Sequence, residues 1–115
     1  MHFRVRSVDR GRWTSVLVTG DVDLAALPLY RRELHDAVAG AKPLEIDLSE
    51  CDFMDSTGLG VTIGAVRRVW DRDGEVRIVT SPPVQRLMTR CRLDEILPLT
   101  APSVQSADPG EVLAP

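Results

Sequence analysis

Between a predicted strand and a helical repeat the chain runs Asp52-Phe53-Met54-Asp55-Ser56-Thr57-Gly58-Leu59-Gly60, placing two hydroxyls and two glycines at one loop-to-helix junction. Three kinds of chemistry suit that composition. Asp55 or Ser56 can serve as an N-cap, because a helix start leaves backbone N–H groups without intrahelical acceptors, and glycines in the first turn can allow close packing on a strand. The same N–H groups can instead bind an anion, which would make Gly58, Gly60 and Gly64 a dinucleotide or phosphate loop. The spacing speaks against that loop. G-x-G-x-x-x-G is not the G-x-G-x-x-G pattern, no P-loop Lys-Ser/Thr pair occurs, and the glycines lie inside the helical run. The third possibility is a phosphorylation switch, since phosphate brings about 1.5 to 2 negative charges and three strong acceptors to one side chain.

The elements around this junction follow from hydrophobic periodicity. Phe3, Val5 and Val8 mark a strand over 3–8, Asp9-Arg10-Gly11-Arg12 a turn, and Trp13–Thr19 the returning strand, closed by Gly20-Asp21-Val22-Asp23. From Leu24 the period lengthens, with Leu27, Tyr30, Leu34 and Val38 on one face and Gly40 as the stop. Asp23 can cap that helix. Leu44–Leu48 alternates as a strand wet on one face. Leu59, Ile63, Val66 and Trp70 form the inward stripe of a second helix from Ser56, ending at Asp73-Gly74. Val76–Thr80 is a strand. Ser81-Pro82 starts a third helix with Val84, Leu87, Met88 and Cys91 inward, and Ile96–Leu99 is a last short strand.

These elements predict an α/β fold, a mixed four- to five-stranded sheet with helices packed mainly on one face. Arg4, Arg6, Glu45, Asp47 and Arg77 fall on the open face, where exposed cross-strand pairs would each contribute roughly 0.2 to 1 kcal/mol. The domain is expected over 1–100, and residues 101–115, rich in Ala, Pro, Ser and Gly, read as an irregular tail.

Composition narrows the function classes. The 115 residues allow one core and no separate cofactor domain. A net charge of −3 gives no attraction to phosphate backbones or anionic lipid, so neither nucleic acid nor membrane is expected as a partner. No apolar stretch approaches a signal peptide or a membrane span, and with only Cys51 and Cys91 as thiols the reducing cytoplasm is the expected location. His2 and His35 are the only histidines, and no zinc spacing or nucleophile-elbow string occurs, so no metal, cofactor or catalytic residue is expected.

Phe53-Met54-Asp55-Ser56-Thr57-Gly58-Leu59-Gly60-Val61 resembles the phosphorylation-site motif of bacterial anti-sigma factor antagonists, which are STAS domains. Gly20-Asp21-Val22-Asp23 resembles the family's turn after the second strand, Leu44–Leu48 its third strand, and Ser81-Pro82-Pro83-Val84-Gln85-Arg86-Leu87 its third-helix entry. The likeness spans about residues 3–99. It implies a single STAS-like domain that switches partners. Unphosphorylated, such a protein binds an anti-sigma factor with serine kinase activity and frees a sigma factor; the kinase modifies the serine after the motif's Asp, which is Ser56, and a serine phosphatase reverses it.

The same resemblance makes the protein substrate and ligand rather than enzyme. It gives Asp23, Asp55, Ser56, Thr57, Gly58 and Gly60 as the partner-binding set, with Ser56 ahead of Thr57 as phosphoacceptor. For the glycines, approach of the partner to the backbone and close helix packing both stay open. The alternative is a STAS binding or scaffold module outside sigma regulation, stressosome-like or transport-linked. Two departures stand out. Arg92 occupies the place of a helix-ending glycine, so either the helix ends differently or Arg92 accepts strain. Pro102, Pro109, Gly110 and Pro115 argue against the family's longer C-terminal helix beyond Leu99.

Overall fold

The structure, a computed structural model, describes residues 2–100. The tail expected over 101–115 lies outside them. In chain order the elements are β1 (Arg4–Arg10), β2 (Trp13–Val22), α1 (Leu27–Ala39), β3 (Leu44–Met54), α2 (Ser56–Asp71), β4 (Val76–Thr80), α3 (Pro82–Arg90), a 3-10 turn (Leu93–Glu95) and β5 (Leu99–Thr100). One five-stranded sheet takes the order β1-β2-β3-β4-β5, with β1 antiparallel to β2 and the remaining pairs parallel. Each parallel step needs a crossover helix. Because all three steps run the same way and such crossovers are right-handed, α1, α2 and α3 fall on one face. Val16, Val18, Leu44, Ile46, Leu48 and Ile78 from the strands meet Tyr30, Leu34, Leu59, Val66 and Met88 from the helices in one core.

The strands run further than their alternating segments. β1 continues through Asp9 and Arg10, and the chain turns at Gly11 with φ +65°. β2 reaches Val22 and β3 reaches Met54, because backbone pairing persists across two register shifts beyond Leu17. Gly20 lies within this extension. It has φ +95°, and a Cβ there would lie 2.7 Å from the His2 carbonyl oxygen. Cys51, inside the lengthened β3, is buried, and burial pushes its thiol up to about 11, which keeps it a neutral core side chain.

The helices correct several expectations. α1 starts at Leu27 instead of Leu24; residues 24–26 form a turn, and Pro28 occupies the first turn, where its missing N–H costs nothing. Along α2 the buried stripe is Gly58, Leu59, Thr62, Ala65, Val66 and Val69, whereas Ile63 is half-buried and Trp70 exposed. Ser81 caps α3 by accepting the Val84 N–H at 3.3 Å and ties it to β3 by donating to the Cys51 carbonyl. Cys91 is exposed rather than inward, and Arg92 ends the helix in the left-handed conformation at φ +61°. Among the described residues the last strand is Leu99–Thr100, starting at Leu99 rather than Ile96 because a 3-10 turn precedes it and Pro98 has no N–H to pair.

The open face differs most from expectation. Arg4 and Arg6 are exposed, but Glu45 has no accessible surface and Asp47 is buried. Glu45 accepts from Ser15 at 2.6 Å, from Arg10 at 3.2 Å and from Arg77 at 2.8–2.9 Å. Arg77 lies over the Trp13 ring, 4.2 Å from its centre. Long side chains of β1, β2 and β4 therefore roof a carboxylate on the face without helices.

Candidate functional site

The lengthened β2 and β3 leave the sheet side by side. Val22 pairs with Met54, and the Asp55 N–H donates to the Val22 carbonyl at 3.1 Å, so Asp23 and Ser56 depart from adjacent strand ends. Asp55, in extended conformation, is the N-cap of α2. Its Oδ1 accepts the Gly58 N–H at 2.9 Å and the Thr57 hydroxyl at 2.5 Å. These bonds, Thr57's foremost, hold the Asp55 carboxyl below the ordinary carboxylate range.

Ser56 is the first residue of α2 and is exposed, and among the described residues its hydroxyl has no hydrogen-bond partner. Thr57 is exposed too. The two glycines separate. Gly58 is buried, and a Cβ on it would meet Met54 Cγ at 2.7 Å and Val22 Cγ1 at 2.8 Å, so close packing of α2 on the ends of β2 and β3 accounts for it. Gly60 is exposed, and a Cβ on it would find nothing within 4 Å.

Asp23 is exposed and its carboxylate accepts the Ala26 N–H at 3.1 Å. It caps the turn before α1, not the helix itself. Periodicity missed the two apolar neighbours of the site, Leu24 at 70% and Phe53 at 49% exposure. The available signal for Phe53 was its place beside Asp52 in a segment whose inward residues are Cys51 and Met54. It missed Thr62 as well, a polar residue in the buried stripe of α2, which donates to the Gly58 carbonyl at 2.9 Å and shares a 2.6 Å hydrogen bond with the Tyr30 hydroxyl.

Chemically, the site offers an accessible serine hydroxyl at a positive helix end, directly after Asp55 and on the strand end next to the one that Asp23 leaves. Both histidines are exposed, and among the described residues no group of three His, Cys, Asp or Glu side chains could hold a metal ion.

The model of the family described as STAS domain matches residues 6–107. The chain belongs to the STAS domain family. Among curated relatives of this STAS domain, the anti-sigma-B factor antagonist of Bacillus subtilis is 30% identical over 89 residues, covering 76% of this chain and 82% of that protein. The anti-sigma F factor antagonist of Paenibacillus polymyxa is 28% identical over 102 residues, covering 86% and 87%. Among solved structures, an anti-sigma factor antagonist from Mycobacterium paratuberculosis superposes with a TM-score of 0.79 at 24% identity, covering 85% of each chain. The match in fold extends to the mixed sheet and its three helices. Among the described residues of the STAS domain, no helix is long and apolar enough to cross a membrane.

Proposed function

We propose that this STAS domain is a cytoplasmic anti-sigma factor antagonist whose docking is controlled by phosphate on Ser56. The observation that carries the reading is the Ser56 hydroxyl, exposed and unpaired among the described residues at the first position of α2, in a chain whose relatives are named anti-sigma factor antagonists. Unphosphorylated, the end of the sheet formed by Asp23, Asp55, Ser56, Thr57 and Gly60 docks on an anti-sigma factor, and the sigma factor is released. That anti-sigma factor is also the serine kinase, and a separate serine phosphatase resets the switch. The STAS domain is ligand and substrate in this cycle, with the catalytic groups on the other proteins.

The switch follows from charge. Phosphate on Ser56 adds about 1.5 to 2 negative charges beside Asp55 and near Asp23, on a surface that must lose water when it docks. The α2 N-terminus offsets part of that charge, so the fold persists while the interface weakens. Differential affinity is then sufficient, with no large rearrangement. Calorimetry against the anti-sigma partner tests this with wild type, Ser56→Ala and Ser56→Asp. Ser56→Ala is expected to bind like wild type and Ser56→Asp at least about tenfold more weakly, a difference of ~1.4 kcal/mol. Equal affinities for all three count against the proposal.

A further inference from the structure

The two adjacent hydroxyls at the start of α2 are both open to solvent, so access does not choose between them. Hydrogen bonding does. Thr57 Oγ1 donates to Asp55 Oδ1 at 2.5 Å, and the same oxygen takes the Gly58 N–H at 2.9 Å. Ser56 has no such bond among the described residues. We infer that Thr57 is a positioning residue: its hydroxyl anchors the Asp55 carboxylate over the first turn and thereby leaves Ser56 as the hydroxyl that accepts phosphate. The inference rests on the reading of Ser56 given above and names what selects it.

Phosphoryl transfer forms a bond from the hydroxyl oxygen to the γ-phosphorus of ATP while the bond from that phosphorus to the β,γ-bridging oxygen breaks. ADP leaves, and the hydroxyl proton passes to a base on the kinase. On Thr57 this step first has to break a hydrogen bond to an ionised carboxylate, and it ends with phosphate against Asp55. The Thr57 bond to Asp55 is lost in the process. Asp55 is also a weak base for the Thr57 proton, because the two bonds it accepts hold its carboxyl below the ordinary range. On Ser56 no hydrogen bond among the described residues is broken, and the helix end favours the incoming charge.

Two measurements on the full chain test the inference. The first is an NMR titration of the Asp55 carboxyl, which needs no kinase. Thr57→Val is expected to raise its pKa toward the ordinary value of about 3.9, and Thr57→Ser to return it to the wild-type position. An unchanged titration in Thr57→Val overturns the inference. The second is phosphosite mass spectrometry with ATP and the anti-sigma kinase. Ser56→Ala is expected to take phosphate on Thr57 about ten- to a hundredfold more slowly than wild type takes it on Ser56, the factor a charge-assisted hydrogen bond carries. Labelling of Thr57 in Ser56→Ala at the wild-type rate overturns the inference and leaves Ser56 as a phosphoacceptor. A wild-type chain left unlabelled at Ser56 overturns the phosphorylation reading itself, while the titration still reports whether Thr57 anchors Asp55.

Discussion

Gly58 and Gly60 sit two residues apart near the start of α2, and their surroundings give them opposite responses to the same change. A methyl on Gly58 would press on Met54 and Val22, the latter a short β-branched side chain that cannot swing aside. Gly58→Ala is expected to lose about 1 to 3 kcal/mol through overpacking. Gly60 has free space, so Gly60→Ala is expected to gain roughly 0.5 to 1 kcal/mol by reducing the freedom of the unfolded chain. Urea unfolding midpoints of the two variants should bracket wild type, and equal midpoints would contradict this assignment. In the sequence the two glycines are indistinguishable, because their difference lies in the strands beneath one of them.

At the scale of elements, α1 and α2 share one buried polar contact. The Tyr30 hydroxyl and Thr62 Oγ1 are 2.6 Å apart, and Thr62 also donates to the Gly58 carbonyl one turn earlier. Burial raises the Tyr30 pKa above the usual tyrosine value, so the phenol stays protonated and needs an acceptor inside the core. Tyr30→Phe removes one bond and leaves Thr62 with the Gly58 carbonyl, at an expected loss of about 1 kcal/mol. Thr62→Val strands the buried phenol and is expected to lose more, about 1 to 3 kcal/mol. Thermal or urea unfolding of the two single variants decides the order; a smaller loss for Thr62→Val would show that the phenol finds another acceptor. Helix α2 is legible as a helix from its period, and of the expected stripe Leu59, Ile63, Val66 and Trp70 only Leu59 and Val66 are buried. The buried stripe also takes in Gly58 and Thr62, which hydrophobicity alone does not mark.

Across the whole molecule, the sheet presents one face to three helices and roofs the other with its own long side chains. Glu45 at the centre of that second face is fully enclosed, with Ser15, Arg10 and Arg77 from three other strands converging on it. Glu45→Ala removes the acceptor from two guanidiniums and a buried hydroxyl. Because the Arg10 and Arg77 side chains keep 40% and 30% exposure, they can recover some hydration. The expected loss is therefore about 3 kcal/mol, the low end of the range for breaking a buried ion pair. A loss under about 1 kcal/mol in urea unfolding would return the cluster to the class of surface pairs. Strand alternation placed Glu45 on this face correctly. Its burial depended on Trp13 and the arginines folding over it from neighbouring strands.

What the amino-acid order determined by itself is whatever depends on neighbours in the chain: the period of each strand and helix, the Ser81-Pro82 and Asp55-Ser56 helix starts, the stop at Gly40, and the motif around Ser56. What only the tertiary structure decided is whatever depends on segments far apart. Pairing across Gly20 carried β2 and β3 to a common end and so brought Asp23 beside Asp55. Packing beneath α2 set Gly58 apart from Gly60, and the roof over β3 turned an apparently wet carboxylate into a buried one. Local pattern encodes dihedral preference and amphipathicity, whereas register, burial and partner choice are settled by contacts between residues that the chain itself keeps tens of positions apart.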